Sequence, residues 1–422
     1  MHKIKEYANM DAVTNYILEN WEKTIVTPRE TAADKDGLPY PYVVPTIGTM
    51  FHELYYWDTY FTCLGLQRSD RFDLVKDSAE NLLYLISKYG YVPNSSHSYR
   101  NRSQPPFLSE LVRLVFEQEH DLVFLRKAYE GLTVEYEFWM NRRMTPCGLN
   151  QYGINIERAE ILETEQILLQ RIGYKETGTE KADDVLYNLV TNCESGWDIN
   201  PRMGFAQRSC AWVDLNSLLF QFEKNMAFFA EVLQTGEADR YDSAAEQRGA
   251  RMRELMFDGQ VFCDYNYMQK QQIPLFSAAA FYPLWAGVAT DEQAASCVSQ
   301  LYRIEAEYGI VACEGKKRRF TYQWDFPNGW PPVQYLVIQG LRRYGYEAEA
   351  RRLAKKYLQL VQMVFAETGN LWEKYNVIEP KKGAASEYGT PSMLGWTAGV
   401  YLWCREYLSG SSGAAYDREI SH

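Results

Sequence analysis

The sequence predicts an all-α protein built as an α/α toroid, with paired helices ringing a central cleft. Three observations carry this. About a dozen segments place apolar residues at helical spacing. Strand signals are weak and local, as at Gln260 to Tyr265. The helical segments also follow one another as hairpin-like pairs, and a two-domain helical bundle is the alternative packing of such pairs. No linker rich in Gly, Ser or Pro divides the chain, so residues 1–408 read as a single domain. Residues 409–422 are small and polar and read as a flexible C-terminal tail.

A first helix is expected over 9–25, followed by an irregular stretch over 26–56 rich in Pro and Thr. A short helix fits 57–66. Over 70–88, Phe72, Val75, Ala79, Leu82, Leu83 and Ile86 share one face, and Gly90 stops the run. Further helices fit 107–118, 120–142, 159–170, 182–192, 211–235, 237–256, 276–288, 291–304, 331–344, 346–366 and 391–408. In 346–366 the face is Ala350, Leu353, Ala354, Tyr357, Val361 and Val364.

Composition excludes several classes. With 44 basic and 55 acidic residues the net charge is −11, which argues against a nucleic-acid partner. No apolar run reaches membrane-spanning length, so no membrane association is expected. The first residues lack the apolar run of a signal peptide, and a cytoplasmic location with reduced thiols is expected. The eight cysteines are scattered, without a Cys-x-x-Cys or Cys/His cluster, so neither a metal nor a cofactor is implied. Aromatics make up 15% of the chain, with 32 Tyr and 11 Trp. Such a surplus suits a carbohydrate cleft, although a large helical core could also absorb it.

The segment Glu194-Ser195-Gly196-Trp197-Asp198 follows an apolar helical run (Val185, Leu186, Leu189, Val190), and Pro201 prevents the helix from simply continuing. A carboxylate beside an indole at a helix end suits sugar cleavage: the apolar face raises the acid's pKa and stacks on the pyranose ring. Taken alone, Asp198 reads more readily as an N-cap or turn residue, since Asp is a common turn former. Five further loops share the same mixture of Trp, carboxylates, Arg, Gln and Asn. They are His52 to Tyr60, Pro93 to Pro106, Ile156 to Glu160, Tyr322 to Pro332, and Leu371 to Asn376 with Ser386 to Tyr388. Each has an ordinary reading as a cap, a solvated turn, an exposed charged face or an apolar corner.

Together these segments resemble the trehalases, glycoside hydrolase family thirty-seven. Phe51, Glu53, Tyr55, Trp57, Asp58 and Tyr60 match the family's first signature. Gln323 to Pro332 match its second, Gln-Trp-Asp-x-Pro-x-Gly-Trp-x-Pro, at every specified position. Glu194 to Asp198, Pro93-Asn94, Arg102 to Pro106, Val213 to Leu219, Glu373 to Tyr375 and Gly395 to Val400 match further family segments in family order.

The resemblance implies an (α/α)₆ toroid and an inverting glycosidase acting on a small carbohydrate, with α,α-trehalose the expected substrate. Asp198 would be the general acid and Glu373 the general base, with Glu387 as the rival for the base. Phe51, Trp57, Asp58, Asn94, Arg102, Gln104, Arg158, Glu160, Gly196 and Glu387 would line the sugar sites, and Trp324 would cover the cleaved ring. An inverting pair stands about 6.5–9.5 Å apart, leaving room for the attacking water.

The chain departs from the pattern at Met50, where the first signature has an Arg expected to contact substrate. It departs also at Ile47-Gly48-Thr49, at the Lys381 to Ser386 run and at Leu394. These changes cluster on the leaving-group side. They leave open another small α-glycoside, such as the glucosyl- or mannosylglycerate cleaved by short toroid enzymes of family sixty-three. A non-catalytic sugar-binding protein and a phosphorylase are the remaining alternatives, and the retained Asp198 and Glu373 argue against both.

Overall fold

In the computed structural model the described residues are 11–28, 37–48, 50–175, 181–204, 206–320, 322–383 and 389–410. Fifteen α-helices occur among them. The first seven are α1 (Ala12–Asn20), α2 (Tyr56–Gln67), α3 (Phe72–Tyr89), α4 (Leu108–Glu119), α5 (Leu122–Arg142), α6 (Arg158–Thr164) and α7 (Ile167–Arg171). There follow α8 (Ala182–Glu194), α9 (Val213–Leu233), α10 (Ala238–Leu255), α11 (Tyr282–Ala286) and α12 (Asp291–Ser299). The last three are α13 (Pro331–Arg343), α14 (Glu347–Thr368) and α15 (Gly395–Ser409). Among the described residues β-structure is limited to two-residue strands in small antiparallel sheets and a few isolated bridges. No helix among them is long and apolar enough to cross a membrane.

Six helices form an inner ring. In order, α2, α4, α9, α11, α13 and α15 each pack on the next, and α15 returns to α2. Outside the ring, α3, α5, α10 and α14 back their neighbours. Burial follows this division. In α2 every residue from Tyr56 to Leu66 is buried, as a helix enclosed on all sides requires. In α10 only Tyr241, Ala245, Arg248, Gly249 and Met252 are buried, which is one stripe.

The seam between α2 and α15 depends on glycine. A Cβ on Gly399 would lie 1.8 Å from the Phe61 carbonyl oxygen, and one on Gly65 would lie 2.9 Å from the Gly399 Cα. The two backbones touch because neither residue carries a side chain. Helix α1 straps this seam from outside: Asp11, its N-cap, pairs with Arg405 at 3.0 Å and accepts from the Tyr401 hydroxyl at 2.9 Å.

Helices α6 to α8 are an excursion between α5 and α9 with an apolar cluster of their own, including Ile161, Leu168, Ile172, Leu186 and Leu189. The single helix expected over 159–170 breaks here, because Glu165 caps α6 and sends its carboxylate to Arg102 instead. The helix expected over 276–288 opens as a 3₁₀ turn (Ala278–Phe281), and Pro283 sits in the first turn of α11, where its missing N–H has no partner to lose. The helix expected from 391 starts at Gly395. The residues before it pair with the chain around Glu373: Met393 N–H donates to the Leu371 carbonyl and Glu373 N–H to that of Pro391. Helix α15 runs through Ser409, and the rest of the expected tail, 411–422, lies outside the described residues.

Candidate active site

The N-terminal ends of α2, α13 and α15 converge on a cavity of about 600 Å³, within the size range of small-ligand sites. Phe51, Trp57, Asp58, Asn94, Arg102, Gln104, Glu160, Gly196, Asp198, Trp324 and Glu373 all line it. They come from segments scattered along most of the chain, and the ring brings them together.

Asp198 is delivered by a loop that turns left-handed twice. Gly196 has φ 69° and Ile199 φ 52°; the second is unusual for a β-branched residue and marks a strained backbone. Buried ion pairs hold both ends of the loop. Glu194 receives the Arg143 guanidinium through two bonds of 2.7 Å, the Ser103 N–H at 2.9 Å and the Gly153 N–H at 2.6 Å. Arg202 is gripped by Asp214 at 2.5 Å and Asp264 at 2.6 Å. Gly196 lies flat on Trp57, where a Cβ would come within 2.7 Å of the indole.

Trp197 does not stack on the cavity as its place beside Asp198 suggests. It is fully buried, with its ring 5.0 Å from that of Trp324 and the Arg202 guanidinium 5.0 Å from its centroid. It anchors the loop instead. Trp324 lines the cavity and is itself held by indoles. Trp197 lies stacked on it, and Trp330 stacks on it at 3.8 Å with an interplanar angle of 3°. Trp57 and Trp396 meet edge to face and complete an indole floor beneath the cavity.

Glu373 is buried and accepts from the Lys374 ammonium at 2.5 Å. Its carbonyl takes the Trp396 indole N–H at 2.9 Å, which fixes this segment against α15. Asp58, in the first turn of α2, is the neighbouring carboxyl. Burial first, and then the negative charge of Glu373, push its pKa up to about 8. Both causes favour the protonated form of Asp58 around neutral pH.

The loop 92–106 is tied into the same frame. Asn94 donates to the Cys193 carbonyl at 3.2 Å, and the Gln104 side-chain oxygen accepts the Trp57 N–H at 3.2 Å, capping α2. Arg102 pairs with Glu165 at 2.9 Å and lies over the Tyr99 ring.

Arg158 does not join them. Its guanidinium donates to Asp184 at 2.6 Å and lies over Tyr187, on the outer side of the excursion. Glu387 lies outside the described residues. The cavity also has lining residues that sequence reasoning did not single out: Tyr55, Tyr99, Glu165, Arg171, Trp330 and Trp396. Tyr55, Trp330 and Trp396 sit inside the motifs already quoted. Glu165 and Arg171 carry no motif at all.

A family model described as Trehalase matches residues 2–408. The chain belongs to the trehalase family. It is therefore a glycoside hydrolase, and the (α/α)₆ toroid expected of trehalases is the architecture found. Among its relatives is a periplasmic trehalase of Xanthomonas oryzae pv. oryzae, 34% identical over 404 residues, covering 90% of this chain and 70% of that one. Another is a periplasmic trehalase of Pseudomonas aeruginosa, 33% identical over 393 residues, covering 86% and 70%. The neutral trehalase structure from Saccharomyces cerevisiae superposes with a TM-score of 0.74 at 27% identity, covering 97% of this chain and 82% of that chain. A mannosylglycerate hydrolase from Thermus thermophilus, with a TM-score of 0.63 at 16% identity over 93% and 99%, shares the fold. The bacterial trehalase relatives also correct the expected cytoplasmic location, since they are named periplasmic. That expectation rested on a missing apolar run at the first residues, and such an absence does not decide the compartment.

Proposed function

We propose that this chain hydrolyses α,α-trehalose to two glucose molecules with inversion, Asp198 acting as general acid and Glu373 as general base. The observation that carries this reading is the convergence of both carboxyls on one indole-floored cavity, in a chain whose relatives are named trehalases. Asp198 gives its proton to the bridging oxygen as the glycosidic bond breaks. Glu373 takes a proton from a water that attacks the anomeric carbon from the opposite face. The neutral Asp58 offers a hydroxyl to the sugar without adding charge beside the base. Asn94, Gln104, Arg102 and Glu160 supply further polar contacts, and residues 1–408 act as one catalytic domain, a reading that the closed ring supports.

The test is proton NMR of the anomeric signals during the first minutes of reaction with trehalose. β-Glucose should appear together with α-glucose. Asp198→Ala and Glu373→Gln should each lower kcat by about 10²–10⁴-fold. Full activity in Glu373→Gln would remove it as the base.

One observation favours a second reading. Met50 lines the cavity and is 48% exposed, so the leaving-group side lacks the charge that the first signature carries there. Glucose release from glucosylglycerate but not from trehalose would establish that alternative.

A further inference from the structure

The excursion α6–α8 contributes a cation to the cavity that no motif marks. Helix α7 presents Ile167, Leu168 and Arg171 to the cavity, while Leu168 also enters the excursion's own apolar cluster. The short helix is therefore anchored, and Arg171 projects from its last turn. The joint between α6 and α7 is pinned in turn by the Glu165–Arg102 pair at 2.9 Å.

The position of Arg171 along the cavity follows from its neighbours. The Tyr99 phenol lies within electrostatic reach of both Arg171 and Asp198, and Arg102 lies over its ring at 4.8 Å. Helix α7 starts two residues after Glu165, whose carboxylate holds Arg102, so Arg171 enters the cavity from the side of Arg102 and Tyr99, which is the Asp198 side. On the acid–base reading above, which this inference rests on, that is the end where the departing oxygen is protonated and the leaving group sits. Met50 brings no charge to the cavity, Arg158 is turned outward to Asp184, and Arg102, the other arginine in the lining, is paired with Glu165.

We propose that Arg171 is a specificity-determining residue for the leaving group: its guanidinium donates hydrogen bonds to the hydroxyls of a polyhydroxylated leaving group. A charge-assisted hydrogen bond of this kind is worth about a 10- to 100-fold preference.

The test compares two substrates in the full-length protein. Trehalose loses a sugar that Arg171 can hold; α-glucosyl fluoride loses only a fluoride ion, as the C–F bond breaks and water adds at the same carbon. Arg171→Ala should lower kcat/KM for trehalose by about 10- to 100-fold, chiefly through KM, and leave glucosyl fluoride within about twofold. Arg171→Lys, which keeps the charge, should recover part of the loss. Equal losses on both substrates would overturn the proposal, because they would mean that Arg171 positions the acid or the fold. No loss on either would overturn it as well. Melting temperatures of both variants identify a folding defect, and Arg171→Gln then repeats the comparison. A wild-type enzyme that cleaves the fluoride but not trehalose would overturn the trehalose reading alone. The same ratio would then test Arg171 on the α-glucoside that is turned over.

Discussion

Asp58 shows how one residue's state is fixed by distant ones. Its carboxyl is raised from 3.8 to about 8 by burial and by Glu373. Between those values the folded protein keeps a proton that the unfolded chain has released. Folded Asp58 thus binds more protons than unfolded Asp58, so its contribution makes stability fall as pH rises from about 4 to 8 and level off above. Glu135, raised to about 7 by burial, adds a similar slope at lower pH. The region belonging to Asp58 is therefore pH 7–8. Asp58→Asn, which copies the neutral acid, should flatten the melting temperature across that interval. An unchanged slope there would show that Asp58 is already ionised. The sequence marked Asp58 through its Trp-Asp motif, but not its proton, which depends on a partner from the far end of the chain. Residue-level failures have similar origins. Trp197 adjoins Asp198 in sequence, yet it lies between two left-handed residues and turns into the core. Arg158 opens α6 and Arg171 closes α7 in the same excursion, and neither composition nor spacing says which of them faces inward.

At the scale of elements, periodicity was a good guide because burial imposes it. Leu82, Leu83 and Ile86 of α3 are buried as their spacing requires, and Gly90 ends the helix in the left-handed conformation at φ 76°. The pattern failed where a side chain had a stronger appointment elsewhere, as Glu165 has with Arg102. The loop after α8 is the element on which chemistry depends most. Gly196→Ala should be poorly tolerated: it places a side chain on a left-handed residue and drives a methyl to 2.7 Å from Trp57. We expect a loss of about 1–3 kcal/mol in chemical denaturation. Turnover should fall further than stability does, since both Trp57 and Asp198 must shift. A variant with normal kcat would mean that the loop can relax without moving the acid.

At the scale of the molecule, the ring stands or falls at its seam. A methyl on Gly399 would lie 1.8 Å from the Phe61 carbonyl oxygen, a backbone atom with no rotamer to adopt. Gly399→Ala should therefore force α15 away from α2 and lower stability by about 3 kcal/mol or more. Because both helices carry cavity residues, Trp57 and Asp58 on one and Trp396 on the other, activity should be lost together with the fold. A melting curve and a turnover assay on the same sample test this.

The seam also sets a clock. Helix α2 is complete once residue 67 has been synthesised, but its partner is complete only at residue 409. Until then the side of α2 that α15 covers lacks its partner, and the ring of inner helices is still an arc. A chain in which α15 is missing or undocked therefore exposes the apolar face of α2, and aggregation is its expected fate.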